Sequence, residues 1–337
     1  MNDTPGPTRP TQLRRETWRH IIVRTARRFG FDDLPDAAAS LTYYAVLAIF
    51  PALIAIVAGF VVFSDEGVAI DTVLARFEEV FPGVSTENVR GALDELASQA
   101  GWYALIVGAL VTVWAVSRYV GAFSRTLNRI YEIDEGRRFP RLKPEQLAVS
   151  LAIILLWALI ACCVIIAGPT ADDVAAAWGI GEPWLMVWGI LRWPLAVALA
   201  VVLIGMLYYA TPNVHQRRFR WLSFGAGIAL LVLVASSAGF FLYVANFAQY
   251  DRIYRSLAGA LIFLIWVWIA NLAVLLGAEF DSEVERGRQL QAGIAAEERL
   301  VMEPRDTALS DIRAERIRRE VDEARDIRYR SAPRGTL

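Results

Sequence analysis

Residues 256–278 read SLAGALIFLIWVWIANLAVLLGA, an uncharged run in which Asn271 is the lone amide. At about 1.5 Å per residue such a helix is roughly 34 Å long, enough to cross a hydrocarbon core of about 30 Å. Outward from it the same texture recurs at 37–64, 96–117, 146–171, 193–216 and 221–250. All 34 Lys and Arg and all 35 Asp and Glu of the 337-residue chain fall outside these six windows. A soluble protein hides one or two helices that are apolar all round. Six of them, in a chain 56% hydrophobic, leave too little polar surface to cover the molecule. The windows predict an all-α, polytopic integral membrane protein with six transmembrane helices, near 37–63, 98–120, 147–168, 187–210, 221–248 and 257–279.

Lys and Arg resist translocation and collect in cytoplasmic loops. Taken through alternate gaps, they number 29 on the side of both termini against 5 on the other, and 17 against 5 without the long C-terminal segment. The N- and C-termini are therefore expected in the cytoplasm. Residues 1–36 form a cytoplasmic arm, in which about Leu13 to Phe29 reads as a basic amphipathic helix. That helix suits an anionic leaflet, or simply carries ordinary flanking arginines. Residues 37–280 form the membrane domain, and 281–337 a charged cytoplasmic tail, helical or partly disordered. The acidic extracytoplasmic segment 65–95 reads as helical, either a lid or a solvated connector, with a second helix capped at Ser85 or Thr86. No cleavable leader is expected before Ala37, so insertion is expected to run through the first span.

Composition removes several chemistries. A net charge of −1 gives no global basic field for nucleic acid. Cys162 and Cys163 are adjacent inside one window, which offers no disulfide framework and no CxxC site. His20 and His215 are the two histidines, too few for a zinc hydrolase with three or four such ligands. No GxxxxGK[ST] loop or GxSxG elbow occurs. The expectation is a protein that is not an enzyme, with no catalytic, cofactor-binding or metal residues and no cofactor.

Polar groups inside hydrocarbon are expensive, so they are the first candidates for function. Arg118 follows the second window and Glu279 closes the sixth, both toward the same face. They are expected either to pair or to reach the interface separately. The first span carries Asp36 at its foot, then Tyr43, Tyr44 and Pro51, a kinked track that lines a cavity or simply packs. Asn271 suits an interhelical hydrogen bond, and Gly259 a close helix approach. Asn246, Gln249, Tyr250, Asp251 and Tyr254 form a polar cluster between the last two spans. Arg192 lies about 14 Å into the fourth span if that helix starts at Pro183, or is an interfacial anchor if the span starts at Trp193.

Three stretches carry a family resemblance: DAAASLTYYAVLAIFPAL (36–53), LYYATPN (207–213) and YVANFAQYDRIYRSLAGALIFLIWVWIANLAVLLGAEFDSEVER (243–286). Together they resemble the YihY/BrkB family of bacterial inner-membrane proteins over roughly 13–290, with Arg255 standing where that family is expected to carry Gly. The resemblance implies a multi-pass protein of the bacterial inner membrane. It implies an envelope role, a link to lipid movement, and an old ribonuclease BN label that this histidine-poor chain does not fit. By resemblance Asp36, Pro51, Pro212, Tyr250, Tyr254, Gly259, Gly277 and Glu279 are the positions to test first. Three functional readings stand. The first is a transporter or flippase of an amphiphilic, lipid-like envelope molecule. The second is an ion- or proton-coupled exchanger using Asp36 and Glu279. The third is a scaffold that recruits a cytosolic partner through its tail. Membrane lipids and further copies of the chain are the other expected partners, and nucleic acid is not.

Overall fold

The computed structural model describes residues 12–63, 86–166, 181–215, 224–247 and 255–331, with a few isolated positions between 171 and 179. Among them are the helices α1 (Arg15–Phe31), α2 (Leu34–Phe63), α3 (Thr86–Ile130), α4 (Phe139–Ile165), α5 (Glu182–Ala210), α6 (Phe224–Phe247), α7 (Arg255–Gln291) and α8 (Ala308–Ser331). The β structure among the described residues is a single isolated antiparallel bridge, Val214 to Pro304. Helices α2 to α7 each hold a segment long and apolar enough to cross a membrane. The architecture is the all-α, six-span bundle expected from the windows.

Local sequence sets several boundaries. Proline sits in the first positions of α4 and α5, where its missing N–H has no intrahelical partner to lose. Pro212 follows the last turn of α5 and has no N–H with which to continue it. Two helices overrun their windows. Helix α3 starts at Thr86, so residues 86–95 run straight into the second span; the rest of the acidic segment lies outside the described residues. Helix α7 continues to Gln291. Leu275, Glu279, Ser282 and Arg286 recur on one buried face at helical spacing, so that face stays covered after the apolar run ends.

Each span touches the next in chain order, and α7 closes the ring against α2. Two crossings depend on glycine. A Cβ on Gly108 would stand 3.0 to 3.2 Å from Ala55 and the Pro51 carbonyl, so α3 meets α2 backbone to backbone beside the proline. A Cβ on Gly277 would stand 2.4 Å from the Gly225 carbonyl and 2.6 Å from the Tyr208 hydroxyl, which holds α7 against both α5 and α6. Small residues at such crossings are how helices associate where lipid tails remove the hydrophobic drive. The shared core of α2, α3, α5 and α7 includes Leu41, Phe123, Leu127, Leu207, Tyr208 and Leu275. It lies toward the end of the bundle that carries both termini, called the basal end below.

Below that core a polar layer closes the bundle. The loop after α3, the turn after α5 and residues 292–306 run together there. Gly136 is in backbone contact with Asp306, and Leu309 N–H donates to the Gly136 carbonyl at 2.7 Å. The first part of the C-terminal segment is thus built into the fold. Helix α8 beyond it has no buried residue.

Candidate functional site

Asn271 joins three helices inside the bundle. Its amide donates to the Thr42 hydroxyl on α2 at 3.2 Å and to the Val267 carbonyl at 3.0 Å. Its oxygen accepts from the Tyr119 hydroxyl on α3 at 2.8 Å. This joint fixes the faces of α2 and α3 that carry Tyr44 and Arg118. The Arg118 guanidinium lies over the Tyr44 ring at 5.9 Å and the Trp114 ring at 5.8 Å. Arg118, Trp114 and Tyr43 are all exposed on the flank of the bundle, and Tyr43 meets Tyr44 edge to face at 5.4 Å. No carboxylate pairs with Arg118 among the described residues, so the cation–π contacts are what position it.

Of the two alternatives for Arg118 and Glu279, the pair does not form, and depth along the helices explains why. Asn271 is level with Tyr119, and Glu279 lies eight residues further along α7, about 12 Å toward the basal end. There Glu279 is buried (1% exposed), and its Oε2 has no hydrogen-bond partner among the described residues. Around it is a network centred on Glu132, whose φ of 54° places it in the left-handed region just past α3. Glu132 Oε1 accepts from Arg28 Nη2 at 2.7 Å and Arg286 Nη2 at 3.0 Å, and Oε2 from the Leu300 N–H at 2.7 Å. Arg286 also donates to Glu283 at 3.1 Å and to the Ala296 carbonyl at 2.7 Å, while Arg24 lies 3.1 Å from Glu283. Burial pushes the Asp32 carboxyl above its usual range against the opposing charge of Arg28. The network ties α1, the end of α3, α7 and the C-terminal segment together.

A second basal network centres on Arg137 (2% exposed). Its guanidinium donates to both Glu135 oxygens at 2.8 Å, to Glu145 at 3.0 Å and to the Thr211 carbonyl at 2.8 Å. Burial pushes the Glu135 carboxyl up, but Arg137 and Asn128 outweigh it and hold the carboxyl below its ordinary value. Asn213 is fully buried. It accepts at its backbone carbonyl from the Arg305 N–H at 3.1 Å and donates its amide to the Asp306 carbonyl at 2.8 Å and the Asp134 carbonyl at 3.0 Å. Its N–H donates to Asn128 Oδ1 at 2.8 Å. These contacts latch the turn after α5 to the segment leading into α8.

The other candidates fall apart from one another. Asp36 is exposed in the first turn of α2, so Asp32 and not Asp36 is the aspartate facing Glu279. Pro51 lies at the Gly108 crossing, Gly277 at the α5–α6–α7 crossing, and Pro212 is buried in the Asn213 turn. Gly259 is half-buried near the start of α7, and Tyr250 and Tyr254 lie outside the described residues. Helix α5 begins at Glu182, so Arg192 is about 14 Å past Pro183, with its guanidinium 5.1 Å from the Trp193 ring. Sequence reading missed Glu132, Glu283, Arg286, Arg137, Asn213 and Arg305. For two of them a signal existed: Glu279, Glu283 and Arg286 follow the spacing of the apolar face they extend.

A concave surface of about 420 Å³ on α1 is lined by His20, Arg24, Arg27, Arg28 and two apolar side chains, Val23 and Phe31. Among the described residues no group of three or more His, Cys, Asp or Glu is placed to hold a metal ion.

Comparison with known proteins matches a large part of this chain. It is 24% identical over 264 residues to the ribonuclease-like protein YfkH of Bacillus subtilis, covering 78% of this chain and 94% of that one. It is 30% identical over 281 residues to a UPF0761 membrane protein of Alkalilimnicola ehrlichii, and 28% identical over 298 residues to one of Bordetella petrii. The chain spans 60% and 61% of the length of those two relatives. No solved structure matches. The profile of the family described as Virulence factor BrkB covers residues 25–300, from the middle of α1 through the six spans to the Glu132 contact at Leu300, and the chain belongs to that family.

Proposed function

We propose that the protein moves an amphiphilic, lipid-like envelope molecule across the bacterial inner membrane, as a transporter or flippase with no ATPase of its own. The observation that carries this reading is Arg118. It is an arginine on a membrane span, turned outward on the flank of the bundle, stacked on Tyr44 and Trp114 and with no carboxylate partner among the described residues. An ionisable group inside a span ordinarily faces the bundle interior or pairs with another charge. One that faces lipid is a handle for a molecule that already lies in the bilayer. The Lys and Arg bias supports a cytoplasmic basal end, so the basic surface of α1 would face the anionic leaflet. The ribonuclease-like name of YfkH is not carried over, because the two histidines, His20 and His215, are too few for the ligand set of a metal-dependent nuclease.

The test is a lipid-flip assay on the purified chain in liposomes, with a fluorescent lipid quenched from outside. Protein-dependent quenching beyond the outer-leaflet half supports the reading, and quenching that stops there at every protein density refutes it. A second reading, proton-coupled exchange, is favoured by the buried Glu279 near Asp32. It expects a pH-driven flux that Glu279→Gln abolishes, and a flux unchanged by that substitution removes it.

A further inference from the structure

On α3, the outward side chains recur at helical spacing and change character along one face. Tyr103, Leu110 and Trp114 are followed by Arg118, Arg125 and Arg129, all of them exposed. Intervals of four and seven residues keep these six within one stripe. The stripe can be placed in depth by its neighbour. Gly121 lies against the Gln146 amide of α4, 3.5 Å from where a Cβ would stand. After Gln146, α4 is uncharged and apolar from Leu147 to Ile165, about 28 Å, the thickness of a hydrocarbon core. Arg118 therefore sits about 4.5 Å inside the polar edge, Arg125 about 6 Å outside it, and Arg129 about 12 Å outside.

Among the described residues, the two inner arginines of this stripe have no carboxylate to neutralise them. At the basal end Arg24, Arg28, Arg137, Arg141 and Arg286 each pair with a carboxylate within 3.3 Å, and Arg299 and Arg305 donate to backbone carbonyls. Arg118 and Arg125 have no carboxylate partner among the described residues, and Arg129 has only Asp33 at 4.0 Å. Two guanidiniums thus stand without a carboxylate partner among the described residues, on either side of the depth where the hydrocarbon ends. Above them the exposed Trp114, Tyr43 and Phe50 offer an apolar wall for an acyl chain. Arginine matches phosphate oxygens with two parallel N–H donors, and a net anionic headgroup is what an uncompensated pair of cations selects.

We infer that Arg118 and Arg125 form a lateral binding site for the headgroup of an anionic phospholipid in the basal leaflet, with Arg129 at its mouth. This rests on the reading of Arg118 given above and adds the substrate class and the site of entry. A lipid drawn along the stripe exchanges bulk headgroup water for guanidinium contacts as it moves inward. Its acyl chains stay in the membrane throughout.

The site is tested by equilibrium binding to the purified full chain in detergent, measured as phosphatidylglycerol retained per protein. Phosphatidylcholine is the neutral comparison and inorganic phosphate the competitor. The wild type is expected to retain phosphatidylglycerol in preference, and Arg118→Ala with Arg125→Ala to weaken that binding by roughly tenfold or more. Arg319→Ala, at an exposed pair on α8, is expected to leave it unchanged. Arg118→Lys with Arg125→Lys keeps the charge and is expected to restore part of the retention, which separates lost binding from lost folding. Retention unchanged in the double alanine variant overturns the site, as does equal retention of phosphatidylcholine. Displacement by inorganic phosphate overturns the lipid assignment in favour of a soluble anion. Because the assay involves no transbilayer step, preference for phosphatidylglycerol without flipping keeps the site and removes the transport reading. Flipping without the preference does the reverse.

Discussion

Replacing Arg137 by Ala should unlatch the basal layer. Its guanidinium makes hydrogen bonds of 2.8 to 3.0 Å to Glu135, Glu145 and the Thr211 carbonyl, at 2% exposure. Removing it leaves the Glu135 carboxylate, itself 17% exposed, with two neutral donors at 3.0 Å, the Asn128 amide and the backbone N–H of residue 137, and no cation. Breaking a buried ion pair by deleting one partner costs about 3–5 kcal/mol, because the other charge is left uncompensated. Spread over a domain of this size, that corresponds to a fall in melting temperature on the order of 10 °C. The assay is thermal unfolding of the purified chain in a mild detergent, followed by tryptophan fluorescence. Replacing both members, Arg137→Met with Glu135→Gln, should cost less than the single change, since no lone charge remains. A fall for Arg137→Ala no larger than that for Arg319→Ala at the surface would refute the argument that the layer is held by this buried pair.

Three further outcomes follow from the same structure. A chain ending after Thr307 should melt like the whole protein, whereas one ending after Leu290 should lose Ala296, Leu300 and Arg305 and melt well below it; equal melting of the two would show that the segment is not part of the fold. Gly277→Val should prevent the α5–α6–α7 crossing and abolish monodisperse protein on gel filtration, because even a Cβ there lies 2.4 Å from a backbone oxygen. The pH dependence has a definite sign. The Glu135 carboxyl is held below its ordinary 4.5, so its contribution is present above that value and is lost as pH falls through the lower folded value. Melting temperature should therefore drop on the acid side, less steeply for Glu135→Gln, and parallel acid limbs would contradict this.

The spans were legible in the sequence because absence of charge is a one-dimensional signal: a run such as 146–171 has the same meaning whatever surrounds it. The Asn271 joint was half legible. An amide in hydrocarbon needs partners, but its spacing does not say that Thr42 and Tyr119 supply them. The basal layer was not legible, because a buried arginine and a solvated one look alike in a loop. Arg137 and Arg138 are adjacent, yet the first is buried and the second marks the N-cap of α4. Depth was the other missing quantity. Arg118 and Glu279 both close apolar windows toward the same face, but the register set by Tyr119 and Asn271 puts them on different levels. The same register brings Asp32, in the turn before α2, near Glu279 and leaves Asp36 exposed.

The central claim is that Arg118 handles a lipid on its way across the bilayer. It is tested most directly by measuring flip rates of a labelled phosphatidylglycerol in liposomes holding equal amounts of wild type, Arg118→Ala or Arg319→Ala. The account predicts protein-dependent flipping by the wild type and Arg319→Ala, and a rate near that of empty liposomes for Arg118→Ala. Flipping by Arg118→Ala at the wild-type rate would contradict it.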